Sequence, residues 1–231
     1  MKNFAISDLH LTGGADKPMD IFGESWVGHW EKIQSDWREK VSSEDTVMIA
    51  GDISWSMTLD SVRTDLDEIE KLPGTKIIIR GNHDYWWASR AKLDSLGYKT
   101  IYFIQNDAIK AGDTVFCGTR GWSVPENNET QSAEDKKIFT REIIRLEMSL
   151  KAAAKIADEG DEIIGMLHFP PFNSAFDASP FTDLFDSFGV KKIIYGHLHG
   201  AFGRYKDVVD VHGAEYYLTS CDFLKNSLIR L

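Results

Sequence analysis

A chain of 231 residues, 42% hydrophobic and 27% charged, is long enough to bury one sizeable core and has an ordinary globular composition. Nothing in it calls for a second domain, so residues 1–231 are read as one. Its formal net charge of −10 speaks against a basic footprint for long nucleic acid, though not against a small anionic substrate.

Along the chain, short β-branched runs alternate with longer patterned segments. Strands are expected over 3–7, 46–50, 76–80, 100–104, 114–118, 162–167 and 191–196, each closing on Gly, Asp, Asn or His. Helices are expected over 25–41, 59–72, 85–96 and 132–160. Such alternation suggests an α/β sheet flanked by helices. Cys117 and Cys221 lie far apart and outside any spaced motif, so neither a disulfide framework nor a thiolate cage is signalled, which suits a reducing cytoplasm. No apolar run approaches the ~18 residues of a membrane span, and "MKNFAISDLH" reaches polar residues before a secretory apolar segment could form. The expected location is therefore the cytoplasm, away from membranes; nothing in the sequence fixes an oligomeric state.

The polar residues fall on this map in one pattern. "SDLH" brings Asp8 and His10 after the first strand, "AGD" brings Asp52, and "RGNHD" brings Asn82, His83 and Asp84. His168 closes "IIGMLH", and "IIYGHLHG" supplies His197 and His199. Each lies just beyond the carboxyl end of an apolar strand, the edge where open α/β sheets bind ligands. Taken singly, Asp8 could cap a turn, Asn82 could hold a left-handed bend and His168 could be a satisfied core histidine. Together, at five strand ends, they point to a site. Carboxylate, imidazole and amide oxygen without thiolate suit manganese, iron, zinc or nickel better than magnesium. Seven such residues, His83 set aside, are too many for one ion and suffice for two if a carboxylate bridges. Asp52 is the natural bridge, because Gly51 before it permits close backbone approach.

In this order "DLH", "GD", "GNHD", a lone His168 and "GHLH" resemble, motif for motif, the calcineurin-like metallophosphoesterases, over residues 8 to 199. "GDISW" and "GNHDYWW" are most similar to a compact bacterial branch of predicted phosphohydrolases. The resemblance implies a four-layer α/β/β/α sandwich, two mixed sheets flanked by helices. It implies two divalent ions, manganese favoured, one held by Asp8, His10, Asp52 and His199, the other by Asp52, Asn82, His168 and His197. It implies a metal-bound hydroxide attacking a phosphate ester of a small phosphorylated or nucleotide-like substrate. It makes His83 the proton donor to the leaving oxygen, with Asp84 beside it as orienting partner or, equally, as a carboxylate at a helix N-terminus. Ser54, Trp55 and Ser56 stand where protein serine/threonine phosphatases carry an aspartate and an arginine, which argues against phosphoprotein substrates. Trp55, Trp86, Trp87, Phe169 and Phe172 follow ligand segments and offer stacking surfaces, though aromatics at such spacing also build cores. Arg120 could clamp a phosphate, or be an ordinary salt-bridged arginine. Alternatives within the family are a nuclease or nucleotide-conjugate pyrophosphatase; outside catalysis, a scaffold, against which the full ligand set argues.

Overall fold

Alternation of side chains at period two governs the architecture. The computed structural model describes residues 1–13, 15–200 and 205–231. Its strands in chain order are β1 (Asn3–Ile6), β2 (Thr46–Ile49), β3 (Thr75–Ile78), β4 (Ile101–Phe103), β5 (Ala108–Ala111), β6 (Thr114–Thr119), β7 (Glu162–Leu167), β8 (Lys192–Tyr195), β9 (Val208–Val211), β10 (Ala214–Leu218) and β11 (Ile229–Arg230). The helices are α1 (His29–Lys40), α2 (Arg63–Glu70), α3 (Arg90–Asp94), α4 (Ala133–Ile156) and α5 (Pro180–Ser187).

One sheet runs β11-β1-β2-β3-β4, parallel except for β11, and the other runs β5-β6-β7-β8-β10-β9, with antiparallel hairpin strands β5 and β9 at its edges. Ala5, Met48 and Ile77 of the first sheet share a core with Phe116, Ile164 and Ile194 of the second. Their sequence neighbours point the other way. Ile6, Ile49 and Ile78 pack with Ile33 and Trp37 of α1 and Leu66 of α2, while Cys117, Leu167 and Ile193 pack with Leu146 and Leu150 of α4 and Phe185 of α5. The result is helix, sheet, sheet, helix, with each fully buried Ile or Phe worth about 1.5–3 kcal/mol.

The expected strands all form, but the helices differ in extent. The first is split at Gly28, whose φ of 59° is left-handed, into a short 3₁₀ turn (Glu24–Trp26) and α1. Of 85–96 only α3 is helical, because the Asp84 carboxylate and the buried Trp86 hold the preceding residues in turns. α4 starts where expected, with the Ser132 side chain accepting from Asp135 N. α5 was not expected, although Ser179 and Thr182 form a reciprocal capping box and Pro180 occupies the first turn. Among the described residues no helix is long and apolar enough to cross a membrane.

Candidate metal centre

Because β1, β2, β3, β7 and β8 run parallel within their sheets, their carboxyl ends gather at one edge of the sandwich. There the sheets are joined directly: Ser7 N donates to Thr219 O (2.7 Å) and Cys221 N to Ser7 O (3.0 Å), tying the end of β1 to the segment after β10. Loops this tight demand unusual backbone. Asp8, His10, Asp52 and His197 all have φ between 45° and 71°, a region non-glycine residues enter only where the surroundings hold them. Two glycines permit the approach. A Cβ on Gly81 would lie 2.1 Å from Asp52 Oδ1, and one on Gly196 would lie 2.4 Å from Asp8 Oδ2.

The polar groups converge in two sets. Asp8, His10 and His199 bring ligand atoms within 4.8 Å of one another, and so do Asp8, Asp52 and His168. His199 Nε2 stands 3.3 Å from Asp8 Oδ1 and 3.3 Å from His10 Nε2. Asn82 Oδ1 meets His168 Nε2 at 2.7 Å and His197 Nδ1 at 3.0 Å. Between the sets sits Asp52, with Oδ2 3.4 Å from His168 Nε2 and 3.7 Å from His10 Nε2. All seven residues expected as ligands are thus together, and Asp8 lies close to both groups, whereas the family resemblance implies a place for it in one.

Second partners fix the rings. His199 Nδ1 bonds Asp222 Oδ1 (2.9 Å) and His168 Nδ1 bonds Ala50 O (2.9 Å), which turns each Nε2 into the site. Asp222 was not anticipated. It follows β10, which is parallel to β8, so the same strand-end rule applies to it once β10 is placed.

The electrostatics favour cations. Burial alone would raise the Asp8 carboxyl, but His199, His168 and His10 hold it well below the ordinary carboxylate range. Asp52 is likewise lowered, burial being outweighed by His168. In return His168 rises to about 9 and His199 to about 10, against the penalty of burial, through Asp52 and Asp8 respectively. Burial pushes His10 and His197 down to about 4. The carboxylates therefore draw positive charge into the site while two imidazoles stay neutral and able to ligate. His10 Nδ1 is buried without a hydrogen-bond partner among the described residues, and the two Nε2 atoms of His10 and His199 facing each other at 3.3 Å suit a shared cation better than each other. Oxygen and nitrogen donors in this number fit divalent transition metals.

His83 stands outside both sets. Its backbone N donates to Asp52 Oδ1 (2.8 Å), its ring Nε2 is 4.0 Å from Asp52 Oδ2, and its side chain is 34% exposed. Asp84 does not orient it, and it does not begin a helix. That carboxylate is fully buried and accepts from the backbone N–H groups of Gly81, Asp52, Ile53 and Ser54 and from the Trp86 indole, locking two ligand loops together. Burial and Asp52 raise its pKa to about 7. Trp86, 2% exposed, is core and offers no stacking face. Trp55 does flank the site, its ring stacked on His10 (centroids 5.0 Å apart) and 4.4 Å from His83, with Lys17 Nζ 4.2 Å over it. Trp87 donates its indole N–H to Gln105, and Phe169 packs 4.2 Å from the His197 ring. Phe172 lines a groove of about 350 Å³ that runs past His197. Arg120 turns away from the ligands toward buried Glu142, at 3.5 Å. His29, left out of the site by sequence, bonds the carbonyls of Trp26 and Leu9 in the core.

The calcineurin-like phosphoesterase family model matches residues 1–201. No curated protein matches the chain. Among solved structures, phosphopantetheinyl hydrolase (PptH) from Mycobacterium tuberculosis aligns with a TM-score of 0.60 at 16% identity, covering 100% of this chain and 95% of that one. The protein of unknown function AQ665 from Aquifex aeolicus aligns with a TM-score of 0.51 at 16% identity, covering 99% and 95%. At that identity the likeness is one of fold. The family match over most of the length, together with the clustered acid and imidazole ligands, places this chain in the calcineurin-like phosphoesterase family, as a metal-dependent phosphoesterase.

Proposed function

We propose that residues 1–231, acting as one domain in the cytoplasm, hydrolyse a phosphate ester of a small molecule with two divalent ions, manganese favoured. One ion lies among Asp8, His10, Asp52 and His199 and the other among Asp52, Asn82, His168 and His197. The observation that carries this reading is the position of Asp52 Oδ2, within 3.7 Å of imidazole nitrogens from both sets. When bound, the ions would supply Lewis-acid polarisation of the phosphoryl oxygens and a water of lowered pKa. The protein's own groups do the rest. Asp222 and the Ala50 carbonyl keep His199 and His168 in the ligating tautomer, and Asp84 fixes the loops that carry Asp52 and Asn82. His83, at the rim and off the ligand sets, gives its proton to the leaving oxygen.

The organic part of the ester lies in the groove beside His197, where Phe172, Phe176 and Leu198 give apolar walls and Glu126 and Asn173 polar ones. That mixture suits a compact amphipathic molecule rather than a polymer, and the net charge of −10 speaks against long nucleic acid. Phosphopantetheinyl compounds, named for the Mycobacterium hydrolase, belong in a panel with phosphomonoesters, phosphodiesters and pyrophosphates, each assayed with manganese, iron, zinc and nickel. The decisive variant is Asp52→Asn. It should abolish hydrolysis and lower bound metal measured by elemental analysis; near two metals per chain with normal turnover would overturn the two-ion reading.

A further inference from the structure

Next to the metal centre the structure holds a second, differently built cavity of about 70 Å³. Arg80, from the loop after β3, Arg120, after β6, and Arg145, on α4, all line it, and none of the seven metal-ligand candidates does. The carboxylate facing these three guanidiniums is Glu142, fully buried, which leaves an excess of two positive charges. Glu142 is also heavily shared. Its Oε1 takes Arg145 Nη1 at 2.7 Å, Arg120 Nη2 at 3.5 Å and Arg141 Nε at 4.0 Å, and its Oε2 takes Thr119 Oγ1 at 2.7 Å. The Nε atoms of Arg80 and Arg120 are buried and have no hydrogen-bond partner among the described residues. Burial lowers the Arg120 pKa, and Arg80, Arg145 and Arg141 push it the same way against Glu142. The Arg120 guanidinium also lies over the Trp122 ring, 4.8 Å from its centroid, yet three guanidiniums sharing one carboxylate in a chain of net charge −10 are a local excess of positive charge that suits an anion. Guanidinium forks bind planar or tetrahedral oxyanions through paired N–H groups, and the cavity has room for roughly two waters at ~30 Å³ each, or one such ion in their place.

We propose that the Arg80–Arg120–Arg145 cavity is a binding site for a phosphate-sized oxyanion, separate from the metal centre. The two sites are close in the chain. Arg80 is two residues before Asn82, and the Arg120 carbonyl accepts from His168 N at 3.0 Å. The anion is thus either free inorganic phosphate or a second phosphate on the substrate, and the chemistry that recognises it is the same. The proposal goes beyond the two-ion reading and does not depend on it.

The test uses inorganic phosphate titrated calorimetrically into the full chain stripped of metal, where no cation holds phosphate at the ligand cluster. One site per chain is expected, weakened at least about tenfold by Arg145→Gln and by Arg80→Gln. Asp52→Asn should leave that binding unchanged. Glu142→Gln should strengthen it, because the competing carboxylate loses its charge; a merely structural network would give no such gain. The Arg145 side chain is 38% exposed, and if Arg145→Gln does not fold, Glu142→Gln/Arg145→Gln removes the pair together. The source is read with metal-loaded enzyme. If the anion belongs to the substrate, KM for a nucleoside bisphosphate rises about tenfold in Arg145→Gln while nitrophenyl phosphate is unaffected. If it is free phosphate, neither KM moves and the calorimetric site remains. No binding up to about 10 mM phosphate, or equal binding in wild type and all arginine and Glu142 variants, would overturn the proposal.

Discussion

His83 and His199 differ in what their second ring nitrogen does. The Nδ1 of His199 is tied to Asp222, whereas that of His83 is buried without a hydrogen-bond partner among the described residues, and the His83 ring leans on Trp55 at the rim of the site. A ligand needs the first arrangement and a proton donor needs a ring that is positioned but not coordinated. His83→Ala should therefore keep its metal, measured by elemental analysis, and lose about 10²–10⁴-fold in turnover on an alkyl phosphate. On a nitrophenyl ester, whose leaving group is already a stable anion, the loss should be smaller. Equal losses on both would assign His83 to the phosphoryl oxygens instead, and lost metal would make it a ligand. The seven candidate ligand residues that the structure brings together could be picked out in the sequence because each follows an apolar run that forms a strand. The partners that orient them could not. Asp222 lies 23 residues beyond His199, and Asp84 binds backbone amides 30 to 32 residues away as well as its own loop. Only the folded chain brings such groups together.

At the level of elements, the strands were legible and the short pieces were not, for a physical reason. Strands buried on both faces read as apolar runs whatever their neighbours, but the edge strands β5 and β11 have exposed or half-buried residues, and β9 and the interior β10 alternate buried positions with exposed or half-buried ones, so none of the four reads as an apolar run. β3 contains a residue that breaks its pattern outright. Lys76 sits in an otherwise apolar outer face, fully buried, and its ammonium donates to the Leu72 carbonyl just beyond α2, to Thr100 Oγ1 (2.9 Å) and to the Glu70 carbonyl (3.4 Å). It satisfies carbonyls left open where α2 ends. Burial lowers its pKa from 10.5 to about 8. Between those values the unfolded chain binds more protons than the folded one, so this residue's contribution to stability rises as pH climbs from about 8 to about 10.5 and is constant below about 8. Urea unfolding of wild type and Lys76→Met, compared across that range, should show the wild type gaining relative to the variant. A difference that stays flat from pH 7 to 10.5 would mean the ammonium keeps its ordinary affinity, its three acceptors having offset the burial.

For the molecule as a whole, the candidate ligands come from both halves of the sandwich. Asp8, His10, Asp52 and Asn82 follow β1, β2 and β3 of one sheet, while His168, His197 and His199 follow β7 and β8 of the other. Apolar packing through Met48, Ile77, Phe116 and Ile164 holds the inner faces together, but at the ligand edge the sheets meet through polar groups and the hydrogen bonds between Ser7 and the segment 219–221. Divalent ions held there would bind the folded chain and not the unfolded one, so they would act as a staple between sheets, stabilising by about 2.7 kcal/mol at a free concentration 100 times Kd. For a chain of this length each kcal/mol moves Tm by about 2–4 °C, so stripping the metal should lower Tm by roughly 5–10 °C, and readdition of manganese should restore it. Asp52→Asn, which weakens the bridging position, should show a smaller metal-dependent shift in the same scan. Were wild-type Tm identical with and without chelator while elemental analysis recorded loss of the ions, the ions would have to bind the unfolded chain as tightly as the folded one, and the cluster that only folding assembles around Asp52, His10 and His168 could not be their site.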